Sequence, residues 1–142
     1  MGPTTPVSDS STGLLRTVLV LDAAVFFGAA LLNFGLKVPL GFTTLRFADS
    51  IWQAGTGEAV IGAALLAAGL TRGRRLSWVA LVMSVLGIAI GLTSERVQGA
   101  ARDLHALMVP LAVLVLALLL VAGRRNRRQS AADRAASTAE AK

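Results

Sequence analysis

Six polar or ionisable residues lie within or beside long apolar stretches, and they are the residues whose types could support chemistry. They are Asp22, Asn33, Lys37, Gln53, Glu58 and His105. A carboxyl group next to an imidazole can hold and transfer a proton, and amide side chains can orient both groups by hydrogen bonding. The helices that carry these residues must therefore be identified first.

The composition predicts helices that cross a lipid bilayer. Hydrophobic residues make up 54% of the 142 residues and charged residues only 15%, whereas a soluble domain carries about 25% charged residues. Apolar stretches cover approximately residues 14–36, 51–70, 76–92 and 104–122, and about 20 apolar residues suffice to cross a bilayer. The predicted fold class is all-α, a four-transmembrane-helix bundle with short loops.

The segments outside these stretches predict a simple domain organisation. Residues 1–13 are expected to be a disordered tail, residues 14–122 the membrane domain, and residues 123–142 a basic, disordered tail that begins where Gly123 ends the last helix. The first connection, residues 38–50, is unusually apolar. It is either a bent, partly helical segment in the headgroup region or a loop packed over the end of the bundle.

The distribution of basic residues predicts the orientation. One side of the membrane receives Arg16, Arg72, Arg74, Arg75, Arg124, Arg125, Arg127, Arg128, Arg134 and Lys142. The other side receives Lys37, Arg46, Arg96 and Arg102. Because the side richer in Lys and Arg is normally cytoplasmic, both termini are expected in the cytoplasm. The net charge of +6 then reflects topology and contacts with anionic lipids, not nucleic-acid binding.

Small residues recur along the second stretch. Gly55, Ala59, Ala63 and Ala67 follow one another at intervals of four, and Gly62 and Gly69 add further small positions. Small residues at such a spacing allow helix backbones to approach closely in membranes. The second helix is therefore expected to be the central one. The same small-residue faces could join a second copy of the chain or another membrane protein, and the bilayer itself is the main expected partner.

A polar layer is predicted near the outer end of the bundle. Because the first two helices are antiparallel neighbours, Asn33, Gln53 and Glu58 should lie at one depth, where His105 enters from the fourth helix and Lys37 can bend inward. Such a layer could form an outward-facing pocket for proton-coupled movement of a small molecule or for a quinone headgroup. The alternative is a hydrogen-bond network that joins the helices and binds nothing.

Asp22 is a second acid within an apolar stretch, expected in the inner third of the first helix. Its expected partners are Arg16 on the same helix or Ser77 and Ser84 on the third helix. A buried acid costs about 2.5–3.5 kcal/mol on insertion scales and usually faces a partner inside the bundle. Asp22 is either a functional group or a structural one, and the structural alternatives are a helix-packing hydrogen bond or an acid that is protonated at neutral pH.

The composition also excludes several kinds of site. The chain has no cysteine and one histidine, which excludes disulfide and thiol chemistry and a bis-histidine haem within one chain. His105 and Asp103 are two residues apart and do not share a helix face, so no metal site is expected. No motif specifies a reaction, which favours a role other than catalysis, and a quinone is the one cofactor class that the polar layer suits.

The segments NFGLKVPLGF (Asn33 to Phe42) and GTGEAVIGAALL (Gly55 to Leu66) resemble those of the DoxX-like membrane proteins. In that family the second span often carries a Glu followed four residues later by a Gly, here Glu58 and Gly62. The resemblance covers roughly residues 14–122 and implies a four-span fold. It also implies a link to thiosulfate–quinone electron transfer or redox homeostasis in some members.

Three functions remain open from the sequence. The first is a DoxX-like protein that binds a quinone or another small molecule at the polar layer. The second is a small proton-coupled transporter, and the third is a non-catalytic scaffold or assembly subunit. The high Ala and Arg content is typical of a bacterial protein, and the cytoplasmic membrane is the expected location.

Overall fold

The computed structural model describes residues 10–39, 44–45, 51–71, 73–94 and 100–140. Within these residues the chain forms four α-helices and two short strands. The helices are α1 (Ser10–Asn33), α2 (Trp52–Thr71), α3 (Arg74–Thr93) and α4 (Ala100–Glu140). The strands are β1 (Val38–Pro39) and β2 (Thr44–Leu45), which pair antiparallel.

All four helices are long and apolar enough to cross a membrane. Large apolar side chains are exposed along each of them, among them Leu21 on α1, Val60 on α2, Ile90 on α3 and Val113 on α4. Because water would penalise this surface and lipid accepts it, the architecture is that of a multi-pass membrane protein. The prediction of an all-α bundle with four candidate membrane spans is confirmed.

The helices pack as a ring in which each has extensive interfaces with two neighbours. The extensive interfaces are α1–α2, α2–α3, α3–α4 and α4–α1, and the α1–α2 interface is the largest. Phe26, Leu65, Met108 and Val115 are fully buried at the centre. The expectation of a central second helix is therefore wrong, because every helix in this ring faces both the core and the outside.

A stripe of glycines, not alanines, brings α2 against α1. A Cβ atom at Gly55 would lie 2.8 Å from the Phe34 ring, and at Gly62 3.3 Å from the Ala23 carbonyl oxygen. The same stripe continues at Gly69, where the nearest atom would be 3.1 Å away. Of the small positions that the sequence offered, Gly55, Gly62 and Gly69 lie at this interface, whereas Ala63 is exposed. Residues four apart lie about 40° apart round a helix, so a stripe with that spacing soon leaves the face that packs. Residues seven apart, such as these glycines, lie only about 20° apart and stay on it.

The fourth helix does not end at Gly123, where a stop was expected. It continues to Glu140, and Gly123 is buried beneath Arg74 of α3, whose Nη2 would lie 2.5 Å from a Cβ atom at residue 123. Gly123 therefore serves helix packing rather than helix termination. Residues 124–140 contain no Pro or Gly and are rich in Ala and Arg, which favour helix.

The ends of the chain and the first connection also differ from expectation. Helix α1 begins at Ser10, inside the expected N-terminal tail of residues 1–13, and residues 1–9 of that tail lie outside the described residues. The described residues of the connection, 38–39 and 44–45, form a two-stranded ladder that pairs Val38 with Leu45, not a helical segment. Backbone pairing satisfies peptide groups that an extended chain would otherwise leave without hydrogen bonds.

Substitutions at two adjacent positions of α2 should distinguish the face that packs against α1 from the exposed face. Gly62→Leu is expected to destabilise the fold by about 1–3 kcal/mol, because its side chain meets Ala23 and Phe27 of α1. Ala63→Leu, on the exposed face, should change stability by less than about 0.5 kcal/mol. Unfolding of the detergent-solubilised variants measures both. Equal destabilisation by the two substitutions would contradict the assigned helix face.

Candidate functional site

Glu58 lies at the centre of a cluster that joins three helices. Asn33, the last residue of α1, donates from Nδ2 to Glu58 Oε2 at 2.8 Å. His105 of α4 places Nε2 3.4 Å from Glu58 Oε1. Each of the three residues is at most 5% exposed. The structure thus brings Asn33, Glu58 and His105 together in one layer, near the ends of the helices at which the sequence placed them.

The other ring nitrogen of His105 determines how many protons the cluster holds. Nδ1 lies 2.7 Å from the Ala101 carbonyl oxygen. A carbonyl only accepts hydrogen bonds, so Nδ1 carries a hydrogen and donates it. A neutral imidazole would then have a bare Nε2 facing a carboxylate oxygen, which is unfavourable. A proton therefore lies between Nε2 and Glu58 Oε1, either as an imidazolium–carboxylate pair or as a neutral imidazole with a carboxylic acid.

Both arrangements leave the Glu58–His105 pair with no net charge. This matters because a single buried charge is costly in a medium of low dielectric constant, whereas a neutral pair is tolerated. Loss of the shared proton would leave one negative charge in the interior, and gain of a second would leave one positive charge. The pair is therefore a one-proton unit.

Gly91 of α3 creates the space in which the His105 ring lies. A Cβ atom at residue 91 would overlap the imidazole, meeting Cδ2, Nε2 and Cγ. In the sequence, Gly91 is one of several small residues in the third apolar stretch. Its role in holding the imidazole could not be predicted, because the contact depends on how α3 and α4 are aligned.

Two predicted members of the layer lie elsewhere. Gln53 is exposed on α2, and Lys37 is exposed in the segment that follows α1. Gln53 lies five residues from Glu58, about 140° away round the helix, so the two side chains point to different faces. Arg102 and Asp103, which precede His105 on α4, are also exposed. Among the described residues, no group of three His, Asp or Glu side chains is arranged to hold a metal.

An aromatic pair marks the same end of the bundle. Trp52, the first residue of α2, lies with its ring centroid 5.0 Å from that of Phe34, at an interplanar angle of 52°. Both residues are exposed, and the Phe34 ring also lies over Gly55. Tryptophan is enriched at membrane–water interfaces. The pair lies closer to the ends of α1 and α2 than the Asn33–Glu58–His105 cluster does.

Asp22 is separate from this cluster. It lies near the middle of α1, not in the inner third, and it is fully buried. Ser84 of α3 donates to its Oδ2 at 3.4 Å. The other expected partners bond elsewhere, since Arg16 donates to the Gly69 carbonyl at 2.8 Å and Ser77 to the Gly73 carbonyl at 3.2 Å.

The single histidine makes the role of Gly91 testable. Gly91→Ala is expected to displace the imidazole, break its contact with Glu58 and destabilise the protein by about 1–3 kcal/mol. The imidazole nitrogen NMR signals, which only His105 can give, should shift, and unfolding in detergent measures the stability change.

Gly28→Ala is the matched control for a new helical methyl group. A Cβ atom at residue 28 would meet nothing within 4 Å, so stability should be unchanged or rise by up to about 1 kcal/mol. An unaltered His105 signal in a folded Gly91→Ala variant would contradict the proposed fit.

No protein-family model, curated protein or solved structure matches the chain. The resemblance to DoxX-like proteins therefore stays a prediction, carried by the segments Asn33 to Phe42 and Gly55 to Leu66.

Proposed function

We propose that the chain is a multi-pass membrane protein in which the Glu58–His105 pair exchanges a proton and helps to bind a small polar headgroup, such as that of a quinone. The observation that carries the proposal is the hydrogen bond from His105 Nδ1 to Ala101. This hydrogen bond supports a shared proton between His105 Nε2 and Glu58 Oε1, within a cluster close to one end of the bundle.

The long contact between the two groups supports exchange of partners. The distance of 3.4 Å from His105 Nε2 to Glu58 Oε1 exceeds the roughly 2.7–2.9 Å of a strong charge-assisted hydrogen bond. An imidazolium N–H could therefore turn to a ligand carbonyl at low cost. Glu58 would keep its hydrogen bond from Asn33 at 2.8 Å, and its charge would still balance that of the imidazolium.

The proposed orientation places this cluster on the outer side of the cytoplasmic membrane. Arg16, Arg74 and Arg75 lie at the opposite end of the bundle, the end that the positive-inside rule assigns to the cytoplasm. The continuation of α4 with its arginines would then project into the cytoplasm. A bacterial, DoxX-like protein remains the proposed class.

A scaffold or assembly subunit is the second candidate. The observation that favours it is the closed packing of the cluster, in which Asn33, Glu58 and His105 are all buried and contact one another. Such a network could hold α1, α2 and α4 together without a ligand. The two candidates differ in whether substitution of Glu58 changes binding or only stability.

The orientation can be tested by thiol labelling, because the chain has no native cysteine. A membrane-impermeant maleimide added to intact cells should label Thr44→Cys, which lies in the first connection. Gln129→Cys lies on the part of α4 that continues beyond Gly123, and it should be labelled only after the cells are permeabilised. Both positions are exposed, so labelling of Gln129→Cys in intact cells would contradict cytoplasmic termini.

The two tryptophans allow a positional test of quinone binding. Trp78→Phe leaves Trp52, about 9 Å along α2 from Glu58, whereas Trp52→Phe leaves Trp78 near the start of α3. In liposomes, quenching of Trp52 fluorescence by a short-chain quinone should include a component that saturates. Quenching of Trp78 fluorescence should only rise in proportion to the quinone concentration. In the Trp52-only protein, Glu58→Gln should lower the apparent affinity of the saturable component about tenfold or more.

Internal pH is followed in the same liposomes with a trapped dye. For the wild-type protein, internal pH should change when quinone is added. For Glu58→Gln it should not change. Gln53→Ala, an exposed amide on the same helix, is the control and should match wild type. If folded Glu58→Gln matches wild type in both signals, the scaffold function is favoured and the proton-exchange proposal fails.

A further inference from the structure

Asp22 is the most deeply buried acid among the described residues, and the function proposed for Glu58 does not use it. It lies near the middle of α1, and Ser84, its contact, lies near the middle of α3. Neither side chain has any exposed surface. The two residues therefore meet at mid-height in the bundle, where neither end of the helices brings water close.

The hydrogen bonds available to Asp22 are too few for a carboxylate ion. Ser84 donates to Oδ2 at 3.4 Å, and within the described part of the chain Oδ1 has no hydrogen-bond partner. A buried carboxylate is stable only when several donors or a cation compensate for the lost water. A neutral carboxyl needs less compensation, and it can either accept a hydrogen bond from the Ser84 hydroxyl or donate one to it.

No cation on the four helices is placed to balance a charge on Asp22. Helix α3 has no charged residue from Leu76 to Thr93, and α4 has none from Ala106 to Gly123. On α2 the only charged residue is Glu58, which is paired with His105.

Arg16 is the nearest cation on α1 itself. It lies six residues from Asp22, about 120° away round the helix, and its Nε donates to the Gly69 carbonyl. Its guanidinium group is thereby held against the end of α2, away from the face that meets Ser84.

We propose that Asp22 is a proton-binding site at the centre of the bundle, and that the proton is bound when α1 and α3 are packed together. The carboxylate takes up one proton from water as the helices close, and it returns that proton when they separate. No electron moves and no other bond forms or breaks. Ionisation in the closed bundle would require water or a cation to enter between α1 and α3.

This site is independent of the Glu58–His105 pair. Asp22 lies eleven residues from Asn33, about 16 Å along α1, and it shares no hydrogen-bond partner with Glu58. The two sites also achieve neutrality differently, since Glu58 shares a proton with an imidazole and Asp22 binds one alone. Failure of one proposal therefore leaves the other standing.

Infrared difference spectroscopy of the whole chain in liposomes tests the proposal. At neutral pH, wild type should show the C=O stretching band of a protonated carboxyl group, and Asp22→Asn should lose it. Glu58→Gln should retain the Asp22 band, even where it removes a second band from a protonated Glu58. A folded Asp22→Asn variant whose protonated-carboxyl bands equal those of wild type overturns the proposal.

Ser84→Ala and Ser77→Ala form a matched pair that keeps Asp22 in place. Both serines are buried on α3, seven residues apart, but Ser77 bonds to the Gly73 carbonyl and not to Asp22. Ser84→Ala should move the Asp22 band to higher frequency, because the carboxyl loses its hydrogen bond, and Ser77→Ala should leave it unmoved. If Asp22→Asn does not fold, the two serine variants test whether Asp22 is protonated. Identical spectra from these two variants overturn the proposal.

Discussion

The close approach of α1 and α2 is the contact on which the rest of the bundle depends. It is possible because Gly55, Gly62 and Gly69 present bare backbone to α1 at every second turn. Lipid offers little hydrophobic drive between helices, so such packing depends on surface fit and van der Waals contact. The same approach brings the end of α1 alongside the first turns of α2, and Asn33 reaches Glu58 as a result.

Polar contacts then connect the helices that the ring does not join directly. Glu58 and His105 meet across the α2–α4 diagonal, and Asp22 and Ser84 meet across the α1–α3 diagonal. The extensive interfaces, by contrast, all lie between ring neighbours. Each diagonal contact fixes the rotation of two helices at once, because a polar side chain that turned outward would face hydrocarbon. The ring is therefore held by small-residue packing at its sides and by hydrogen bonds through its centre.

The two buried acids are placed in different environments. Glu58 has contacts to both carboxylate oxygens and lies near the end of the bundle, beside the exposed Phe34–Trp52 pair. Asp22 has one weak contact at mid-height. An acid near the end of the bundle that shares a proton with a partner is suited to exchange that proton with a ligand or with water. An isolated acid in the interior is suited to remain neutral while the helices stay packed.

The sequence by itself determined the number of helices, the approximate bounds of the first three, and the common depth of Asn33, Glu58 and His105. It could do so because hydropathy and antiparallel order fix position along the bundle axis. Tertiary structure decided everything that depends on rotation about a helix axis. It turned Gln53 outward, selected the glycine stripe over the alanines and placed Gly91 against the imidazole. All four helices are apolar on nearly every side, so their sequences carry little signal for which face turns inward. That choice is made only when neighbouring surfaces meet.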